Sequence, residues 1–258
     1  SFFKSIKADG VDVTSKIVSD DKAYKNTDLR YFDKDFLIRK QYIPNEYMYY
    51  FYNREKAVEN ILNAERTRGE QIADINEKMT EELSAVDIEK DFPKALEIFD
   101  YYYGLRENSY MASETGEKRN STWHFDMYAP DDGGYVGVAL GIIDAKNSTE
   151  KCRMIAYIPN DNKAIDFLDE TDTVEISCEI KNGKVTPIAI GDVPFENKEI
   201  ITRVKAYERL ASKAIINCDK ESAVDCLYLH PLVGSYSLAE KLVDSYIELN
   251  KDYTGEWK

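Results

Sequence analysis

Tyr42-Ile43-Pro44-Asn45-Glu46-Tyr47-Met48-Tyr49-Tyr50-Phe51-Tyr52 holds six aromatic residues in eleven, five of them tyrosines. Any helix built on it carries aromatic surface on every side, so it must be enclosed or line a cleft. Pro44 suits a first helical turn, where its missing N–H costs nothing, and Tyr47, Tyr50 and Phe51 then share a face at i, i+3 and i+4. Tyrosines at this spacing are most often core or interface residues. A ligand cleft is the other reading, and the pattern alone leaves both open.

Upstream, Asp9-Gly10 between short apolar segments predicts a β-hairpin. Residues 19–28 are polar and lysine-rich and read as a loop, and residues 33–41 as a short helix entering the tyrosine stretch. Downstream, Ala57, Ile61, Ala64, Ile72, Ile75 and Met79 mark an apolar stripe through a helical region from Arg54 to about Val86. Arg68 falls on that stripe, where a guanidinium must snorkel out or meet an anion. Gly69 beside it permits a break or a close approach. An intramolecular ion pair, with Glu65 or another acid, is the alternative.

Residues 93–106 predict an aromatic helix carrying Leu96, Phe99, Tyr102 and Tyr103, and residues 113–121 an exposed loop. Residues 133–145 read as a glycine-containing apolar helix without a phosphate-loop pattern. Strands are expected over 153–158, 173–180 and 184–190, the last two joined by a hairpin at Asn182-Gly183. Helix returns after Pro194, with Ile200, Val204, Tyr207, Ala211 and Ala214 on one face. Ser237 and Glu240 suggest a capping box opening a final helix that buries Leu238, Leu242, Val243 and Ile247. With no internal repeat or linker, the expectation is one α+β domain over residues 1–258, helices packed on a small mixed or antiparallel sheet.

At 43% hydrophobic the chain can bury a substantial core. A net charge of −14 opposes nucleic-acid binding, and a bound anion needs a local cationic pocket to overcome it. No apolar run has membrane-spanning length, and no signal peptide is seen, so a cytoplasmic location is expected. Cys152, Cys178, Cys218 and Cys226 are scattered, with no C-x-x-C pair, and read as buried thiols. His230, before Pro231 at a helix end, reads as structural; His124 reads as a surface or interface residue.

The run IPNEYMYYFYNREK (residues 43–56), followed by ERTRGEQI (65–72), resembles the family 4 glycoside hydrolases, which use NAD and a divalent metal. The opening SFFKSIKADGVDVTSKI (1–17) and the stretches VKAYERLASKAI (204–215) and AVDCLYLHPLVGSYSLAEKLVDSYIELNKDY (223–253) resemble the same family, nearest its 6-phospho-β-glucosidases. The resemblance implies the C-terminal domain of a fold related to lactate and malate dehydrogenases. The family's NAD-binding Rossmann segment and its metal-holding Cys and His lie upstream of the matching region, so no residue here is assigned to cofactor or metal. It implies NAD and a divalent ion, Mn2+ foremost, in the full-length enzyme, and an inactive isolated domain.

The implied reaction removes hydride from C3 of the sugar, abstracts the acidified C2 proton, expels the C1 oxygen, adds water and returns the hydride. It thus departs from the two-carboxylate scheme. Tyr47 matches the family's base. A phenol with a reference pKa of about 10 needs a neighbouring cation to act so at neutral pH. Arg68 matches the substrate-anchoring arginine, able to hold a phosphate through paired N–H donors. Asn160 loosely matches an NNGAI-like segment, and Asp131-Asp132-Gly133-Gly134 meets an RGG-like one. The implied partners are a phosphorylated disaccharide or glucoside, the absent Rossmann domain and a second copy in a homo-oligomer. The alternatives are a phospho-α-glucosidase of the same family, a non-catalytic carbohydrate-binding or ligand-sensing module, and a structural domain whose aromatics form an interface.

Overall fold

The computed structural model describes residues 1–40, 42–117, 126 and 134–258. They form two compact units, Ser1–Met127 and Tyr128–Lys258, each built of helices around small antiparallel sheets. His124 and residues 131–133 lie outside the described residues.

The first unit opens on strand β1 (Phe2–Phe3), followed by β2 (Lys7–Ala8) and β3 (Val11–Asp12). β2 and β3 form the expected hairpin, with Asp9 at φ 50° and Gly10 at φ 79°, the left-handed pair that a two-residue I′ turn requires. Helices α1 (Thr14–Ser19) and α2 (Asp21–Asn26) follow. The second corrects the loop expected there: the Asp20 carboxylate accepts from Ala23 N–H at 2.7 Å, and this cap outweighs the polar composition. Helix α3 (Lys34–Lys40) lies where expected, with Asp33 accepting from Phe36 N–H at 2.7 Å.

The tyrosine stretch departs from a continuous helix. Ile43–Pro44 is a strand, β4, antiparallel to β1 with Phe3 opposite Ile43 and Phe2 opposite Pro44. Pro44 is therefore not in a first helical turn, because a residue before proline is pushed out of the helical region. A 3-10 turn, Glu46–Met48, then leads into a single helical turn, α4 (Tyr49–Tyr52). Tyr49 is 2% exposed and joins Val18, Leu29, Tyr31, Phe32, Leu37, Ile43, Ala57 and Met111 in one core.

The region from Arg54 onward is two helices, α5 (Arg54–Asn63) and α6 (Arg68–Ser84). Thr67 breaks the stripe: its hydroxyl accepts from Glu70 N–H, and the Glu70 carboxylate accepts from Thr67 N–H at 2.7 Å, a capping box. Arg68 is thus the first residue of a helix, not a point midway along one. Helix α7 (Phe92–Asn108) is followed by the short α8 (Ala112–Thr115). Glu114 and Thr115, expected in an exposed loop, are buried.

In the second unit, α9 (Gly134–Asn147) precedes β5 (Cys152–Pro159), β6 (Thr173–Lys181) and β7 (Lys184–Pro187). These form an antiparallel sheet in that order. Asn182 and Gly183 turn the β6–β7 hairpin at φ 51° and 74°. Along β6 the alternate residues Val174, Ile176, Cys178 and Ile180 are buried, as a one-sided sheet requires. Helices α10 (Phe195–Asn217), α11 (Lys220–Leu229) and α12 (Tyr236–Thr254) complete it. The cap of α12 is Ser235, not Ser237, because position 235 has the extended backbone (φ −137°, ψ 125°) a cap needs. Its buried face carries Ala239 and Val243, while Leu238 is exposed. Among the described residues no helix is long and apolar enough to cross a membrane.

Candidate functional site

Tyr47 sits on the 3-10 turn and is 57% exposed, two residues before the buried Tyr49. The segment that faces it is the end of α7 and the chain leading into α8. Tyr110, in that segment, donates its hydroxyl to Glu46 Oε1 at 3.1 Å, and the Tyr47 side chain is near enough to influence it. Burial holds the Tyr110 phenol far above the usual phenol range, and Tyr47 and Glu46 push the same way. Tyr50 donates to Met111 Sδ at 3.6 Å. It is also raised by burial first and by Glu114 second.

Arg68 reaches the same segment from α6. Its Nη2 donates to the Arg106 carbonyl at 3.0 Å and its Nη1 to Ser109 Oγ, so it closes the last turn of α7, whose carbonyls lack helical partners. Among the described residues no carboxylate lies within 4.0 Å of it, and the ion pair considered from sequence is not formed. Burial lowers its pKa, with Glu114 partly opposing. A half-buried guanidinium held only by neutral acceptors keeps its charge available to an anion. Glu114 itself is 9% exposed, and its Oε2 has no partner among the described residues.

Arg68 and the turn that carries Tyr47 therefore meet one segment, residues 106–114: Arg68 donates to the Arg106 carbonyl and Ser109 hydroxyl, and Tyr110 donates to Glu46, the residue before Tyr47. Asn160 belongs to the other unit and is 0% exposed. Its amide nitrogen donates to the carbonyls of Ile165 (2.9 Å), Leu168 (3.3 Å) and Asp169 (3.2 Å), and its oxygen accepts from Ile165 N–H (3.0 Å). Every polar atom of this side chain is committed to its own loop. Among the described residues no group of three or more His, Cys, Asp or Glu is placed to hold a metal ion. His230 caps α11, accepts from Leu232 N–H at 3.3 Å and stacks edge-on against Tyr207, a structural role as expected.

Tyr110, Glu46 and Glu114 were not legible as site residues. Glu46 and Tyr47 are neighbours in sequence, but Tyr110 is 64 residues from Glu46, and a buried acid in a polar stretch has no local signature.

Residues 1–233 match the family 4 glycosyl hydrolase C-terminal domain. The chain belongs to that family. The Bacillus subtilis protein named probable 6-phospho-beta-glucosidase is 25% identical over 251 residues, covering 95% of this chain and 50% of its own length. A phospho-alpha-glucosidase of Clostridium acetobutylicum is 26% identical over 247 residues, covering 95% of this chain and 48% of its own length. The chain thus spans about half the length of the curated relatives it matches. The 6-phospho-beta glucosidase of Thermotoga maritima, solved with manganese, NAD+ and glucose-6-phosphate, superposes at a TM-score of 0.67 with 22% identity, over 98% of this chain and 51% of that one. This family 4 domain therefore has the fold of the corresponding half of that enzyme.

Proposed function

We propose that both units together are the substrate-side and oligomerisation domain of an NAD- and divalent-metal-dependent glycosidase acting on 6-phospho-β-glucosides. Tyr47 takes the C2 proton, and Arg68 anchors the phosphorylated sugar. The observation that carries this reading is the exposed Tyr47 together with an Arg68 that, among the described residues, has no carboxylate partner, in one unit of a family 4 domain. Hydrolysis of 6-phospho-α-glucosides is the second reading, favoured by the 26% identity to the phospho-alpha-glucosidase.

NAD, when bound, accepts hydride from C3 and so acidifies the C2 proton. We place NAD and the metal outside these residues, since the family's dinucleotide-binding segment and its metal-holding Cys and His lie upstream of the region this chain matches. The chain's own part is to orient the sugar and move a proton at C2. Arg68 offers paired donors to an anion, and Tyr47 stands clear of the core, 57% exposed. Asn160 takes no part. The exposed apolar residues of α9, Tyr135 at 97% and Val136 at 67%, support a contact face in a homo-oligomer. The phosphorylated substrate class fits a cytoplasmic enzyme.

The test is the full-length enzyme, supplied with NAD and Mn2+, acting on p-nitrophenyl β-D-glucoside 6-phosphate and its α anomer. Turnover of the β anomer is expected, and Tyr47→Phe is expected to lower kcat about 100-fold or more with KM little changed. Full activity in Tyr47→Phe, or turnover by the 258 residues alone, would overturn the division of roles.

A further inference from the structure

The sheet of the second unit has two edges, and they are built differently. β7 spans four residues, opens on Lys184 and closes on Pro187, the devices that keep a sheet edge from pairing. β5, at the other edge, runs eight residues, with proline only at its last position. Asn160 N–H donates to the Asp172 carbonyl at 2.8 Å, continuing the register in which Met154 faces Cys178 and Ile158 faces Val174. Pairs with and without hydrogen bonds alternate along an antiparallel ladder. The even-numbered residues of β5 therefore turn their backbone groups toward β6, and Arg153, Ile155 and Tyr157 turn theirs away. Among the described residues no other backbone group meets those three, and the Arg153 carbonyl has only the Cys152 thiol, at 4.0 Å.

The side chains of the same three residues share the open face of the strand, Ile155 at 52% and Tyr157 at 73% exposed. The intervening residues hold it in place. Ala156 and Ile158 pack on the core of the unit, and Met154 lies over Gly141 of α9, where a Cβ would come within 3.3 Å of its Cε. An edge so fixed, with free backbone groups and exposed apolar side chains, is a template for another strand.

We propose that β5 is a seam between two copies of this chain, pairing antiparallel with its own counterpart about a two-fold axis at Ile155, so that two three-stranded sheets become one. This rests on the homo-oligomer of the function proposed above, and not on its chemistry. The strand is complementary to itself in that register. Ile155 faces its counterpart, and Arg153 faces the counterpart of Tyr157, a guanidinium beside a phenol ring, on both sides of the axis. Each facing pair exchanges N–H···O bonds through the outward groups, and no like charges meet. Pro159, next in the row, has no N–H and ends it. Because a two-fold operation returns every group to a suitable neighbour, the occupant is a second copy and not a foreign strand.

The test sets charges against one another at the axis. Ile155→Lys places two ammonium groups opposite each other and Ile155→Glu two carboxylates, on a face open enough that circular dichroism should match the wild type. In sedimentation equilibrium of the 258-residue chain and of the full-length enzyme, each variant alone is expected to weaken one association step about tenfold or more. An equimolar mixture of the two should recover it, since mixed dimers carry one charge of each sign. Association kept by both variants would leave the oligomer standing on another face and overturn the seam. So would a loss that the mixture does not recover, which facing charges do not explain. A wild-type chain and enzyme that stay monomeric at the highest concentration reached would overturn the seam and the homo-oligomer together. Turnover of the 6-phosphoglucosides is read in the same samples: its absence from a wild-type enzyme that associates as expected would remove the glycosidase reading and leave the seam.

Discussion

Asn160 separates what a residue's identity suggests from what its surroundings allow. The family likeness assigns it to substrate, yet it is 0% exposed, and its amide reaches three carbonyls and one N–H of the loop that follows. Asn160→Ala leaves those buried groups unpaired and is expected to cost about 2–3 kcal/mol in urea unfolding. Asn160→Asp replaces the donor with a carboxylate facing three carbonyls, which raises the folded-state pKa above the unfolded value of about 3.9. Its deficit relative to Asn160→Ala is therefore full at neutral pH and shrinks as pH falls through the folded-state pKa. A deficit that does not shrink would mean that the loop opens to water in the variant. Arg68 was legible as a cation in an unusual place, because an arginine on an apolar stripe demands a partner. That its partners are the Arg106 carbonyl and Ser109 hydroxyl was not, since those groups lie on another helix.

Elements were legible where their chemistry is local. Asp9-Gly10 and Asn182-Gly183 turn their hairpins because both positions of each turn need positive φ, and no distant contact is involved. The strand Ile43–Pro44 pairs with Phe2–Phe3, some forty residues away, and nothing within the tyrosine stretch records that pairing. The break between α5 and α6 is a mixed case. Thr67 and Glu70 carry the capping signature, but the apolar spacing runs through them and reads as one helix. Because this cap fixes where α6 begins, it also fixes Arg68 at the helix start. Thr67→Ala is expected to cost about 1 kcal/mol in urea unfolding, and Thr67→Ser to restore most of it. No loss in Thr67→Ala would mean that packing, not the cap, starts the helix.

At the scale of the molecule, the chain carries a net charge of −14 and is proposed to recognise a dianionic sugar phosphate. The two demands act over different distances. Repulsion from the summed charge reaches roughly 30 Å at 0.01 M salt and about 8 Å at 0.15 M. Arg68 acts at contact, from a half-buried position where salt screens it far less. A phosphate held by that one guanidinium should therefore bind better relative to its neutral analogue as salt rises through this range. We expect the 258-residue chain to prefer glucose 6-phosphate over glucose, in NMR titration, by a ratio that grows about twofold or more between 0.01 and 0.15 M salt. Arg68→Met should remove the preference at both concentrations. A preference that instead falls steadily with salt would place the phosphate on exposed surface lysines, whose attraction is screened in that way, and would take Arg68 out of the anchoring role.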